Sequence, residues 1–304
     1  MMKNQLLLIA ISLALTTVGY AQTAEELKKG DTANVLNYGM DYGQQRYSTL
    51  DQINKKTVKS LTPVWNLSLD DNRAQESQAM VYNGVLYITT HAATIAVDAK
   101  TGKQIWKTAV TYPPETPRIV CCGIINRGAA LYEGKVFRTT LDANVIALDA
   151  KTGKELWKQK VIDWNDGYSQ TLAPLVAGGV LLTGISGAEY GIRGFIDGWE
   201  PTSGKHLWRT YTIAGPDDPG AKSWPGDTWK HGAARLGSPA PMIRSSILSI
   251  GEWGMPDRGT PWCVHRATIC TRPRCWRLTR RRARSNGTSS SRQTIFMTTT
   301  LWPT

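Results

Sequence analysis

The sequence predicts an all-β chain assembled from repeated four-stranded units, and three observations carry that expectation. The segments TIAVDAKTGKQIWKTAV, VIALDAKTGKELWKQKV and FIDGWEPTSGKHLWRTY recur at a fixed interval, with Trp106, Trp157 and Trp208 spaced 51 residues apart. Gly102, Gly153 and Gly204, each followed by Lys, keep the same 51-residue spacing. Between these landmarks, runs of alternating apolar residues are separated by Asn-Gly, Glu-Gly and Gly-Gly pairs, which accept the positive φ of tight turns. A period of about 50, in which strand, glycine turn and strand end on Trp, marks blades that cannot bury their apolar faces alone. The chain is therefore expected to be an incomplete β-propeller whose Trp plates pack between neighbouring blades.

Taken in order, Thr23–Gly30 is polar and helix-compatible. The first blade is expected to use Ala79–Tyr82, Val85–Thr89, Thr94–Val97 and Gln104–Ala109. The second uses Ala129–Tyr132, Val136–Thr139, Asn144–Leu148 and Glu155–Val161. The third uses Leu172–Val176, Val180–Gly184, Gly194–Gly198 and His206–Tyr211, and Trp65 in LTPVWNLSL marks an earlier partial blade. Three and a half blades cannot close a ring, so either the chain oligomerises or it is the front of something longer.

Both ends differ from the repeats. Lys3, the apolar run Leu6–Leu15 and the small residues Gly19 and Ala21 form a secretory signal peptide over residues 1–21, cut before Gln22. Its apolar core is too short to span a bilayer, so a soluble, exported chain with no transmembrane segment is expected. At the other end the charge changes abruptly. Residues 1–232 carry 17 Lys, 7 Arg and 22 acidic residues, whereas 233–304 carry 12 Arg, no Lys and only Glu252 and Asp257. Nearly all of the net charge of +12 thus sits in the tail. That tail shows neither strand alternation nor helical periodicity. Nucleic-acid binding would need aromatic platforms among the basic residues, and Trp262 and Trp276 are too sparse for that. The domain division is 1–21 signal peptide, 22–232 partial propeller and 233–304 non-native tail.

Four segments interrupt the blades and are where chemistry belongs. RAQESQAM holds Glu76, CCGIINRG holds Cys121, Cys122 and Arg127, SQTLAP holds Thr171, and ISGAEYGIRG holds Ser186, Gly187, Ala188 and Glu189. Coming from different blades, they converge on a concave site for a small ligand. Glu189 suits a hard cation, Arg127 suits a ligand carboxylate, and Ser186-Gly187-Ala188 allows close backbone approach. In an oxidising compartment Cys121 and Cys122 either stay free, close a strained ring, or are simply two small buried residues. Cys263, Cys270 and Cys275 lack a zinc spacing.

Together with NYGMDYGQQRYSTLDQINKKTVKSLTPVW, these motifs make Leu36–Gly232 resemble the quinoprotein alcohol dehydrogenases, and among them the methanol dehydrogenases. The resemblance implies an eight-bladed propeller that binds pyrroloquinoline quinone and one metal ion, calcium or a lanthanide. It implies that Cys121 and Cys122 form a disulfide ring against the quinone, that Arg127 lies near its oxygens, and that Glu76, Thr171, Ser186, Gly187 and Ala188 contact it. Glu189 is then a metal ligand. It further implies a small alcohol as substrate, an aspartate base, a periplasmic cytochrome c as acceptor, a periplasmic location, and a homodimer of the parent protein as one assembly. A non-catalytic envelope-assembly propeller would account for the DAKTGKxxW repeats, but not for CCGIINRG and SGAEYGIRG together.

The resemblance also calls for a Trp beneath the quinone, an Asn metal ligand and the aspartate, all after Gly232, where no matching position exists. Joining the third base of each codon to the first two of the next supplies a reason. Trp253-Gly254 then forces Gly, Met255-Pro256 forces Ala, and Ser249–Thr260 permits YWGVGNAGPWN. Met297-Thr298 forces Asp, and Thr294–Thr304 permits DIYDYDSVAD. The tail is therefore expected to be a frameshifted translation of the family's continuing sequence.

Overall fold

The computed structural model describes residues 22–231, apart from 31–32, 72, 74, 121–122 and 219–220, together with 268–271, 274–278 and 297–298. The expected signal peptide lies outside the described residues. Three four-stranded sheets follow one another, each an antiparallel meander in sequence order. The first holds β1 (Met80–Tyr82), β2 (Val85–Thr89), β3 (Ala93–Asp98) and β4 (Gln104–Ala109). The second holds β5 (Ala130–Tyr132), β6 (Lys135–Thr139), β7 (Asn144–Asp149) and β8 (Glu155–Lys160). The third holds β9 (Leu175–Ala177), β10 (Val180–Gly184), β11 (Phe195–Trp199) and β12 (His206–Tyr211). These are the expected blades of an all-β, incomplete propeller. The one sizeable shift is β9, expected to start at Leu172. The chain there is diverted by Thr171, whose carbonyl accepts the Arg127 amide, and by Pro174, which has no N–H for a ladder.

The turns explain the repeat. The first turn of each blade has positive φ at both central residues: 47° and 77° at Asn83-Gly84, 48° and 72° at Glu133-Gly134, and 58° and 78° at Gly178-Gly179. That is the hairpin geometry whose twist matches the strands. The second turn closes when the Gly102, Gly153 and Gly204 amides donate to the carbonyls of Asp98, Asp149 and Glu200 at 2.8–2.9 Å. Their φ values, 70°, 71° and 72°, suit glycine. A second constraint acts there too. A Cβ on Gly102 would lie 2.5 Å from the Trp65 ring, one on Gly153 2.6 Å from Trp106, and one on Gly204 2.7 Å from Trp157. Each ring therefore lies flat on the bare backbone of the next blade's turn. Its indole N–H donates to Ala99, Ala150 or Pro201 carbonyl oxygen at 3.0, 3.0 and 3.1 Å.

Trp208, expected in the same position, differs. It lies over Gly198 of its own sheet and remains 38% exposed, with no further blade turn beneath it among the described residues. In the tail, β13 (Thr268–Thr271), β14 (Arg274–Leu278) and β15 (Met297–Thr298) pair as a small antiparallel sheet. The sequence pattern does not announce that hairpin. The rest of 233–304 lies outside the described residues.

An N-terminal arm crosses the blades. Helix α1 (Ala24–Lys29) starts with a reciprocal Thr23–Glu26 capping box. Leu27 and Leu36 pack with Phe137, Val145, Leu181 and Trp199 in one core cluster. Val35 pairs with Val81 on β1, and the Tyr42 hydroxyl donates to the Val176 carbonyl at 2.8 Å. Burial pushes the Tyr42 phenol up to about 12.

Two glycine substitutions separate the two demands. Gly84→Ala, at φ +77° with nothing within 4 Å of the new Cβ, bears only the left-handed backbone. It should lose about 1–2 kcal/mol. Gly153→Ala adds the collision with Trp106 and should lose roughly 1–3 kcal/mol more. Equal urea midpoints for the two variants would contradict the docking account.

Candidate functional site

In a meander, alternate connections share an end. The β2–β3, β6–β7 and β10–β11 loops therefore gather with the blade-to-blade connections, and the two tight turns of each blade lie at the opposite end. All the expected site residues that are described belong to the first group.

Just ahead of β1, β5 and β9, the inner strands, successive blades are tied edge to edge. Gln78 bridges Gly128 in parallel, with the Gln78 amide on the Arg127 carbonyl at 3.3 Å. The Arg127 amide then donates to the Thr171 carbonyl at 2.9 Å. Ser169 and Ser186 exchange both amide–carbonyl bonds, at 3.0 and 2.7 Å. This backbone ladder lines up four of the expected side chains. Arg127 Nε lies 2.9 Å from Glu76 Oε2, Arg127 Nη1 donates to Thr171 Oγ1 at 2.6 Å, and Thr171 Oγ1 lies 3.0 Å from Ser186 Oγ. The result is a continuous arc, Glu76–Arg127–Thr171–Ser186, drawn from all three blades. Its cation and hydroxyls suit a ligand rich in carboxylate and carbonyl oxygens.

Gly187 stands at φ +125°, where a Cβ would run into the Gly167 carbonyl. Glycine there lets the chain turn sharply from Ser186 into the single helical turn Ala188–Tyr190, which presents Glu189 at the surface. Cys121 and Cys122 lie outside the described residues, so their expected pairing is not part of this geometry. Among the described residues no group of three or more His, Cys, Asp or Glu side chains is arranged to hold a metal ion. Glu189 contributes one carboxylate, and any metal at this end needs further oxygen ligands from elsewhere.

Several supporting residues were not singled out from the sequence. Buried Asn126 donates from Nδ2 to the Thr139 carbonyl at 3.0 Å and accepts the Gly128 amide at 3.1 Å, fixing the corner that aims Arg127. Its place beside Arg127 in CCGIINRG was the one available hint. Gln170 is fully buried and donates to the Gly184 carbonyl at 2.8 Å, tying the Thr171 segment to the strand that leads to Ser186. Its Oε1 finds no partner among the described residues.

The segment that carries Glu76, ahead of β1, is fastened on both sides. Ser77 Oγ accepts from Thr89 Oγ1 at 3.0 Å. At the other end Asp71 Oδ2 lies 2.8 Å from His91 Nδ1, with both side chains under a tenth exposed. The His91 ring stacks on Tyr112, whose hydroxyl donates to the His91 carbonyl at 2.7 Å. Burial, aided by Arg73 and Arg138, pulls the His91 pKa below the usual histidine range, against the opposing pull of Asp71. Burial raises the Asp71 carboxyl, but hydrogen bonds from Arg73 and the nearby cations outweigh it and hold it low.

Against known proteins, residues 36–240 match the family model described as "PQQ: Glucose/ethanol/alcohol dehydrogenase, beta-propeller domain". The quinoprotein alcohol dehydrogenase PedH of Pseudomonas putida is 37% identical over 254 residues, covering 75% of this chain and 42% of the relative. The quinoprotein ethanol dehydrogenase of Pseudomonas aeruginosa is 38% identical over 292 residues, covering 84% of this chain and 46% of the relative. Among solved structures, a europium-containing methanol dehydrogenase superposes with a TM-score of 0.65 at 33% identity, covering 70% of this chain and 41% of that one. The chain belongs to the PQQ-type β-propeller family of alcohol dehydrogenases. It spans less than half the length of these relatives.

The Asp71–His91 clasp has a pH signature. A lowered folded pKa means that the unfolded chain takes up the His91 proton first. Its stabilising contribution is complete above about pH 6.5 and is lost as pH falls from there through the lower folded value. Urea midpoints measured between pH 7.5 and 5 should therefore fall, and His91→Gln, which cannot titrate, should flatten that fall. An unchanged slope would remove His91 as its source.

Proposed function

We propose that this chain carries the front part of a periplasmic, PQQ-dependent alcohol dehydrogenase that oxidises a primary alcohol, methanol foremost, to the aldehyde and passes electrons to a cytochrome c. The observation that carries this reading is the Glu76–Arg127–Thr171–Ser186 arc, where a carboxylate, a cation and two hydroxyls drawn from three blades meet in one hydrogen-bonded line. The names of the relatives, which speak of quinoprotein alcohol, ethanol and methanol dehydrogenases, supply the chemical class.

Pyrroloquinoline quinone, when bound, supplies the hydride-accepting chemistry that protein side chains lack. The work of this chain is binding and orientation. Arg127, held by Glu76 on one side and Thr171 on the other, presents a fixed positive charge to carboxylate or carbonyl oxygens. The Thr171 and Ser186 hydroxyls, already bonded to each other, supply further polar contacts on the same side. Gly187 and Ala188 keep the backbone close, and Glu189 offers a carboxylate to a metal ion. The family resemblance would add a disulfide ring of Cys121 and Cys122 to this half of the quinone site.

The proton-accepting aspartate, the Asn ligand and the Trp of the other half are encoded beyond Gly232, in the frame that residues 233–304 misread. The restored DIYDYD carries one forced Asp, at Met297-Thr298, and a second permitted by Thr299-Thr300. An added carboxylate favours a trivalent, highly coordinated ion over a divalent one. The parent enzyme is therefore assigned a lanthanide, calcium being the alternative.

Three outcomes test this reading. The 304-residue chain, holding half a site, should bind the quinone weakly if at all and show no dye-linked oxidation of methanol. The frame-restored protein should bind it and gain methanol oxidation with lanthanum or cerium. Full activity with calcium and no gain from lanthanides would overturn the metal assignment. In the restored protein, Arg127→Lys should weaken quinone binding by about 10–100-fold in an absorbance titration, the loss expected for a charge-assisted fork. Unchanged binding would place the quinone elsewhere.

A further inference from the structure

At the end of the propeller opposite the arc, the residue that export would leave first is deeply seated. In the uncleaved chain Gln22 is 2% exposed. Its backbone carbonyl accepts the Glu133 amide at 3.2 Å and its side-chain Oε1 accepts the Gly134 amide at 3.0 Å, so it caps the β5–β6 turn. Its backbone N–H faces the Tyr82 hydroxyl. That hydroxyl donates to Glu26 Oε1 at 3.3 Å, while Glu26 Oε2 takes the Thr23 amide at 2.8 Å. Among the described residues the Gln22 nitrogen thus meets the Tyr82 hydroxyl, beside a Glu26 carboxylate that Tyr82 and the Thr23 amide already share. Gln22 also stands at φ +62°, a left-handed conformation unfavourable to a non-glycine residue while a peptide bond precedes it.

We propose that Gln22, freed as the N-terminus by cleavage after Ala21, cyclises to pyroglutamate, and that this neutral lactam is the form its pocket accommodates. The proposal rests on the export reading given above. In the step, the α-amino nitrogen attacks Cδ of its own side-chain amide. The N–Cδ bond forms, the Cδ–Nε2 bond breaks, and ammonia leaves with a proton from the amine, with no oxidation or reduction. The lactam keeps the oxygen that accepts from Gly134 and retains one N–H for Tyr82. An uncyclised ammonium would instead bring a full charge and three donors to a nitrogen whose described neighbours are the Tyr82 hydroxyl and a Glu26 carboxylate already shared between Tyr82 and the Thr23 amide, and a charge only partly paired there costs stability. Cyclisation removes that charge, as other terminal blocking chemistry does. It also leaves no preceding peptide unit to hold Gln22 in the left-handed region.

The test is tandem mass spectrometry of the 304-residue chain exported through its own leader and purified folded from the periplasm. The expected result is an N-terminal peptide that begins at Gln22, is lighter by one ammonia, and resists Edman degradation. A peptide that begins at Gln22 with a free amine would overturn the proposal while leaving export intact. A peptide that begins elsewhere would overturn the cleavage reading and the proposal with it. A second measurement addresses the fit. The mature chain made in the cytoplasm with a retained Met before Gln22 cannot cyclise, and should melt about 2–4 °C below the cyclised form. Equal melting temperatures would show that the lactam is not the better-fitting species.

Discussion

The rest of the structure depends on an indole ring lying flat on a glycine turn of the following blade. Trp106 on Gly153 and Trp157 on Gly204 join three sheets that share no hydrogen-bonded strand pair. Removing a Trp side chain from water contributes up to about 4–6 kcal/mol of apolar transfer at each joint. The indole N–H sets the ring's orientation by reaching a carbonyl in the same turn. Ring and turn must recur at one spacing, because each blade both donates a plate and receives one. Trp65 begins the series on Gly102, and Trp208 ends the described part of it as a half-exposed plate.

Because the joints fix blade against blade, the inner strands arrive side by side, and their leading residues bond across blade boundaries. The arc from Glu76 to Ser186 is a consequence of that alignment rather than of any local motif. Further fastenings keep the same end in register. Fully buried Arg138 donates from β6 to the Thr90 and His91 carbonyls of the preceding blade, both at 3.1 Å, and to Thr94 Oγ1 at 3.1 Å. Burial lowers its pKa, and its hydrogen bonds to neutral oxygens satisfy the cation at that depth. In the third blade, Asp197, fully buried, is gripped by Arg209 through both oxygens at 2.7 Å, and Arg209 reaches back to the Val161 carbonyl. A rigid scaffold beneath, with polar side chains on the connections above, is the arrangement expected where a small ligand is held.

The N-terminal arm links the two ends. It is anchored by Gln22 at the turn end, pairs with β1 through Val35, and reaches the arc end where the Gly39 amide donates to Gln78 Oε1 at 3.0 Å. Gln78 also bonds the Arg127 carbonyl, so a change at the start of the arm is connected through continuous backbone to the corner that aims Arg127. The arm contributes Leu27 and Leu36 to the cluster that contains Phe137 and Leu181, which makes it part of the core rather than a leader.

Periodicity made the fold legible. Strand alternation, paired turn residues and a 51-residue repeat are local or near-local constraints, so eleven of the twelve blade strands lie close to the bounds the sequence predicts. The motifs CCGIINRG and SGAEYGIRG also mark Arg127, Ser186 and Glu189 as candidate site residues, because a break in a regular repeat is visible without coordinates. What remained hidden was every relation that depends on one blade meeting another. That Thr171 stands between Arg127 and Ser186, that His91 clasps the segment leading to Glu76, and that Gln170 and Asn126 support the arc follow from packing over long separations in sequence. The inner strand of the third blade was misread for the same reason, since a tertiary hydrogen bond to Arg127 outweighed its local β pattern. The sequence by itself determined the repeating unit, its turns and the residue types of the site. Only the tertiary structure decided which of those residues touch, because contact between blades is set by the Trp–Gly joints and not by any neighbour along the chain.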